Sequence, residues 1–245
     1  MIVPIVALKG GVGKSTISLN MAYEFSKYEK TLLIDTDPQN SLATFLCTDF
    51  KKGFADILFD RLKVKEVIKT PISDNNNFLF IPSGIKGFFH PIHYEELFVP
   101  EVISSIFDEI NNLDIKFIVI DTPPRISKQS ETILSLSDYF IIITTPDPAS
   151  FASLHIFLKY LKQKELDNYF IIINKVKPDK ISEDFNLIIQ AKAPNKVIGF
   201  LPEDNSIIEA EGMCEPISKI NPESSFIIAL KEIVHEFLLR IKSDT

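Results

Sequence analysis

The chain has 245 residues, of which 45% are hydrophobic, and a formal net charge of −7. That length and apolar content suit one large core, with residues 1–245 as a single α/β domain, and the negative balance excludes an overall basic field of the kind that advertises nucleic acid or anionic lipid, leaving only a local patch for either. The two cysteines, Cys47 and Cys214, have no paired ligand spacing, so they read as ordinary thiols and not as a disulfide framework, a zinc site or an iron–sulfur site.

The chain opens directly on an apolar run, Ile2 to Leu8, which reads as a buried strand and leaves no room for a signal peptide. No apolar run reaches the length that spans a bilayer, so a cytoplasmic protein is expected. The stretch Lys9-Gly10-Gly11-Val12-Gly13-Lys14-Ser15-Thr16 follows, and a segment with helical spacing comes after it. In such a loop the glycines let backbone N–H groups close on phosphate oxygens, Lys14 adds a positive charge near the terminal phosphates, and Ser15 offers a hydroxyl to magnesium. The helix that starts here points its positive end at the same anion. The usual P-loop pattern puts a glycine five residues before Gly13; here that place is Leu8, with Lys9 added directly after it, which is the deviant form. The plainer alternative is a glycine turn that merely joins strand to helix.

Ile17, Met21, Ala22 and Phe25 recur at helical spacing, so one face packs on a sheet while Asn20, Glu24 and Lys27 look elsewhere. Thr31 to Ile34 reads as a strand ending in Asp35-Thr36-Asp37-Pro38-Gln39, which places two carboxylates where ligands of α/β sheets gather. The alternative is that one of them caps a short helix around Ser41 to Leu46. Short helices are expected around Ala55 to Phe59 and Val64 to Ile68, then a polar turn and a strand from Phe78 to Ile81. Ser83 to Glu96 reads as a loop; Pro91 stands between His90 and His93 and no nearby cysteine completes a ligand set, so a loop surface is preferred to a metal site.

A helix over Val102 to Ile110 leads to a strand, Phe117 to Ile120, that ends in Asp121-Thr122-Pro123-Pro124. Asp121, closing a buried strand, has the form of a Walker B carboxylate that holds a magnesium-bound water. A helix from Ile126 to Leu136, a strand from Tyr139 to Ile143, a loop with Pro146 and Pro148, a helix from Phe151 to Leu161 and a strand from Phe170 to Ile173 follow. These strands are continuously apolar, as expected for a doubly wound, mostly parallel sheet with helices on both faces. Asn174 at a strand end could read a purine edge by donating and accepting together. Val197 to Leu201 is a further strand, ending in Pro202-Glu203-Asp204-Asn205. The terminal helix carries Phe226, Leu230, Ile233, Val234, Phe237, Leu238 and Ile241 on one side and mixes Lys231, Arg240 and Lys242 with Glu232, Glu236 and Asp244 on the other, which favours core packing over lipid.

The loop Lys9 to Thr16, the block Asp35 to Gln39, the block Asp121 to Pro124 and the run Gly199-Phe200-Leu201-Pro202-Glu203-Asp204 together resemble the ParA/MinD group of deviant Walker A ATPases, over essentially the whole chain. The Asp-Pro-Gln block looks like ParA-type partition proteins. The Leu-Pro-Glu-Asp block, continued by Ser206, Ala210 and Glu215-Pro216-Ile217, looks more like MinD and its flagellar-regulator relative FlhG. The resemblance implies that ATP is cradled by Gly10, Gly11, Val12, Gly13, Lys14, Ser15 and Thr16, with Asn174, Pro202, Glu203 and Asp204 around adenine. It implies that Ser15 and Asp121 manage Mg2+, that Asp35 supports the water shell of the metal, and that Asp37 orients the attacking water. Lys9 is then the signature lysine that reaches the nucleotide of the partner subunit, and coupling hydrolysis to a lysine supplied in trans suits a reaction that needs positive charge at developing oxygens.

Three functions follow from the resemblance. The first is a slow, partner-stimulated ATPase that dimerises with ATP and positions DNA or another large cargo, binding DNA non-specifically and activated by a ParB-like protein. The second is a MinD- or FlhG-like regulator of division-site or flagellar placement, disfavoured because the chain stops at Thr245, where a membrane-targeting tail would have to begin; membrane binding without a partner is therefore not expected. The third, a metal-cluster carrier on the same fold, lacks the Cys-x-x-Cys pair it needs.

Overall fold

A computed structural model describes residues 1–243. Among them, strands β1 (Ile2–Val6), β2 (Thr31–Asp35), β3 (Phe78–Ile81), β4 (Phe117–Asp121), β5 (Phe140–Thr144), β6 (Tyr169–Val176) and β7 (Val197–Pro202) form one sheet in the order β3-β2-β4-β1-β5-β6-β7. Each adjacent pair runs parallel, with Asp35 registered against Asp121 between β2 and β4. The doubly wound parallel sheet expected from the apolar strands is what the chain forms.

Continuous apolarity follows from alternation between two covered faces. Along β2, Leu33 packs into one core while Leu32 and Ile34 pack into another, and along β4 Val119 opposes Ile118 and Ile120 in the same way. The first core lies under α1 (Lys14–Ser26), which follows the glycine loop, and under the last helix of the chain. On the opposite face, Ile106 and Phe107 pack with β2, β3 and β4, and Leu154 and Phe157 pack with β5 and β6.

The remaining helices in chain order are α2 (Ser41–Phe45), α3 (Phe54–Asp60), α4 (Ile85–Phe89), α5 (Pro91–Glu96), α6 (Pro100–Asn111), α7 (Lys128–Ser135), α8 (Pro148–Gln163), α9 (Lys180–Lys192), α10 (Ser206–Gly212), α11 (Ile217–Ile220) and α12 (Ser225–Ser243). No described helix is long and apolar enough to cross a membrane.

Three expectations change. The segment 83–96 is not a loop: Pro91 starts α5 at its first position, where a missing N–H costs nothing, so the proline initiates a helix. His90 precedes that helix and both histidine rings lie against Phe59. Among the described residues no group of three or more His, Cys, Asp or Glu side chains is placed to hold a metal ion. The segments 180–192, 206–212 and 217–220, to which the sequence assigns no element, fold as α9, α10 and α11.

Asn20 and Glu24 do not look away from the fold; they are buried, because α11 and the segment before it cover this side of α1. Asn20 Nδ2 donates to Thr16 O at 2.9 Å, its Oδ1 accepts from Ile217 N at 2.8 Å, and Glu24 pairs with Lys27 at 2.6 Å. Finally, Cys47 and Cys214 are joined in a disulfide across 167 residues, with Cα atoms 5.4 Å apart. Spacing in sequence carried no sign of it, because the two helices that present the cysteines belong to opposite ends of the chain. On α12, Phe226, Leu230, Ile233, Val234 and Phe237 are in the core as expected; Asp244 lies outside the described residues.

Candidate functional site

Every candidate residue comes from the C-terminal edge of the sheet, where β1, β2, β4, β6 and β7 each hand over to a loop. After β1 the chain turns through Gly11 and Gly13 at φ 77° and 89°, in the left-handed region that side chains disfavour. Gly13 is the N-cap of α1, so the free N–H groups of the first helical turn face outward at the loop. The loop borders a cavity of about 490 Å³. Gly10, Gly11, Val12, Gly13, Lys14, Ser15 and Thr16 form one wall; Lys9, Asp37, Asn174, Pro202, Glu203 and Asp204 line it from the other loops. The structure thus brings most of the sequence candidates to one cleft.

Lys14 is 7% exposed and Asp121 is 0% exposed, and the Lys14 Nζ to Asp121 Oδ1 distance is 2.7 Å. Asp121 also accepts from Ser15 Oγ and from Ser18 Oγ, each at 2.7 Å. A buried carboxylate is tolerated when it is paired and hydrogen-bonded in this way. The Ser15 hydroxyl and the Asp121 carboxylate are hard oxygen donors of the kind magnesium takes together with phosphates and water.

Asp35 is fully buried and does not line the cavity. Its Oδ1 accepts from Asp37 N at 2.9 Å and its Oδ2 from Leu42 N at 3.3 Å, so it ties down the Asp37 loop and caps the first turn of α2. Burial, then the charges of Asp121 and Asp37, push its carboxyl well above the usual range. Asp37 lines the cavity, and burial raises its carboxyl too, against a hydrogen bond from Gln39 N.

Lys9 departs from Lys14. Its Nζ lies 3.0 and 3.2 Å from the two Asp147 oxygens and 3.2 Å from Ser150 Oγ. Asp147 caps α8 through Ala149 N and Ser150 N. Burial pushes the Asp147 carboxyl up, but hydrogen bonds from Thr145, from the Ser150 amide and hydroxyl and from Lys9 outweigh it and hold it below the usual carboxylate range. Nothing local in the sequence points to Asp147 beyond its place before Pro148, at the start of a helix.

Asn174 is buried, its Nδ2 donating to Val12 O at 2.8 Å while its Oδ1 has no partner. An unpaired buried acceptor beside the cavity fits a ligand that brings an N–H group, as an adenine amine does. Lys175, at φ 57°, donates to Gly11 O at 2.8 Å. Sequence reasoning missed Ser18, Phe45, Ile207, Ile208 and Glu211 near this site. Glu211 accepts from Thr16 Oγ1 at 3.2 Å, and burial raises its carboxyl.

Comparison with known proteins finds relatives and solved structures over most of the chain. A family model described as an AAA domain (AAA_31) matches residues 1–175. An ATP-binding protein of Methanocaldococcus jannaschii is 25% identical over 237 residues, spanning 96% of this chain and 87% of its own length. The structure of a candidate plasmid partition protein from Borrelia burgdorferi, bound to AMPPNP, aligns over 98% of both chains with 25% identity and a TM-score of 0.78. The septum site-determining protein MinD of Pyrococcus horikoshii, complexed with Mg-ADP, has the same fold, with a TM-score of 0.79 and 22% identity over 96% of this chain and 95% of that one.

Proposed function

This chain belongs to the AAA_31 family, within the ParA/MinD group of ATP-binding P-loop ATPases, and from that membership we propose that it is a dimerising ATP switch that positions or segregates DNA or another large cargo. The observation that carries the reading is the division of labour between two lysines of one loop. Lys14 is buried on Asp121, within reach of the phosphate position, whereas Lys9 is held at the rim by Asp147. A partly exposed lysine at the rim, held away from Asp121, supports a role toward a second subunit.

In this reading residues 1–245 form one ATPase domain. ATP lies along residues 10–16 with adenine between Asn174 and the loop Pro202-Glu203-Asp204. Ser15 and Asp121 hold Mg2+, and Asp35 acts at one remove by fixing the Asp37 loop. Asp37 orients the water, and Lys14 and the partner's Lys9 stabilise the charge that builds on the transferred phosphoryl group. A ParB-like partner accelerates turnover.

The surface bears on the cargo. Lys219 is engaged by Asp74 and Glu215, Arg240 by Glu236 and Lys231 by Pro222 O, so these three C-terminal cations are spoken for. Lys159, Lys162 and Lys192 instead face one groove between α8 and α9 with no ion-pair partner among the described residues, and Lys192 chiefly, then burial and Lys159, lower the neighbouring His155. Glu165 and Asp167 line the same groove, Asp167 paired with Lys196, so the three lysines leave it a small cationic excess that suits a phosphate backbone.

The test is retention of the protein on duplex DNA with and without ATP and Mg2+. ATP-dependent, salt-sensitive retention is expected, and each of Lys159→Ala, Lys162→Ala and Lys192→Ala should lower the salt slope by about one. Equal retention without nucleotide would count against the switch. Binding to anionic vesicles in place of DNA would favour the MinD-like alternative that the Pro202-Glu203-Asp204 block suggests.

A further inference from the structure

We propose that Cys47 and Cys214 are a redox modification site that clasps the nucleotide cavity, its disulfide form slowing nucleotide exchange; the inference rests on the ATPase reading above. Cys47 follows α2 and Cys214 follows α10, each one residue beyond the helix C-cap, and both adopt left-handed backbone, at φ 45° and 62°. Glycine or asparagine usually holds that position, because a Cβ is penalised there. Two helices therefore end on cysteine where the backbone alone would select glycine, and the two side chains meet. Their Cα separation of 5.4 Å is one a disulfide spans.

Both helices are walls of the cavity, α2 through Ser41 and Phe45 and α10 through Ile207, Ile208 and Glu211. The first is fed by the Asp37 loop from β2 and the second by the Pro202 loop from β7, strands with four others between them in the sheet. The bridge is thus a covalent tie between the side of the cavity that carries Asp37 and the side assigned to the base. Such a clasp requires that these walls part as a nucleotide enters or leaves; the polar tie from α10 to the loop, Thr16 to Glu211, is a single hydrogen bond of 3.2 Å.

The chemistry is thiol–disulfide exchange. Cys47 is exposed and Cys214 half-buried, so the Cys47 thiolate attacks a small oxidised disulfide and releases one of its halves as a thiol. The Cys214 thiolate then attacks Cys47 of the mixed disulfide and releases the second half. Two protein thiols are oxidised and one small disulfide is reduced to two thiols. A small dithiol reverses the reaction.

The experiment follows release of a fluorescent ADP analogue by stopped flow from the full chain, oxidised with glutathione disulfide or reduced with dithiothreitol, with free thiols counted by maleimide labelling and mass spectrometry. Expected are no free thiols and release about tenfold slower in the oxidised protein. Cys47→Ser and Cys214→Ser should release at the reduced rate whatever the redox state. Two labelled thiols after oxidation, or equal release rates from the bridged and reduced forms, overturn the inference and leave the ATPase reading standing. Failure of both forms to bind the analogue sinks the ATPase reading, and the clasp with it.

Discussion

Lys9 is held by Asp147, 138 residues away, through contacts of 3.0 and 3.2 Å, and both side chains are about a third exposed or more. The subunit therefore occupies, with its own carboxylate, the lysine that a dimer would need. Asp147→Asn keeps an oxygen to cap α8 but drops the charge. An exposed pair of this kind is worth no more than about 1 kcal/mol and a dimer releases one from each subunit, so the variant should dimerise with ATP up to about thirtyfold more readily. Sedimentation equilibrium across an ATP titration checks this; an unchanged dimer fraction would show that the pair does not restrain Lys9.

Asp37→Ala and Lys9→Ala should fail in opposite ways. Without Asp37 the water is not aligned, so ATP and the dimer persist and turnover stops. Without Lys9 the nucleotide still binds through Lys14 and the loop amides, but the charge offered to the partner is gone and the protein stays near monomer mass. Light scattering with ATP and Mg2+ separates the two. A monomeric Asp37→Ala beside a dimeric Lys9→Ala would be incompatible with a lysine acting in trans.

Lys14→Ala should abolish tight nucleotide binding, measured by calorimetry. The sequence alone suggests no effect on folding, since the lysine faces an anion site. The structure adds a cost, because Asp121 would keep Ser15 and Ser18 but lose the cation that balances it in a buried place. A loss of about 3–5 kcal/mol in denaturant unfolding is expected. Unchanged stability would mean that water or a cation replaces the ammonium without penalty.

Gly13→Ala should cost about 1–3 kcal/mol and remove nucleotide binding, because φ 89° strains any side chain and the new Cβ would overlap Asn174 Nδ2. Asn174→Ala in the same chain should relieve the overlap without restoring binding. Recovery of the double variant would assign the whole cost to the side-chain contact.

Asp35 gives the protein a stability profile of definite sign. Its carboxyl is raised in the fold, so the native state prefers the protonated form. That contribution is complete below the unfolded value of about 3.9 and is lost as pH rises through the higher folded value. Asp35→Asn cannot ionise, so wild type should be stabler relative to the variant at pH 4 than at pH 7.5, on top of a constant offset from the lost acceptor. Melting temperatures at several pH values test it, and a gap that stays constant would show that Asp35 ionises in the fold as freely as in the unfolded chain.

The sequence by itself determined the sheet and most of the candidate site. Apolar runs mark strands buried on both faces, glycines mark left-handed backbone, and residues at the ends of parallel strands converge because every such strand ends on the same edge. Lys14, Asp37 and Asp121 were legible for that reason. Only the tertiary structure decided what lies between distant segments. Asp147 under Lys9, Glu211 on Thr16, the burial of Asn20 and Glu24 beneath α11, and the bridge from Cys47 to Cys214 each join positions more than a hundred residues apart. Pairing at that separation leaves no periodicity in the chain; Lys9 meets Asp147 because β1 and β5 are neighbours in the sheet, and the segments after β2 and β7 meet because both border the same cavity.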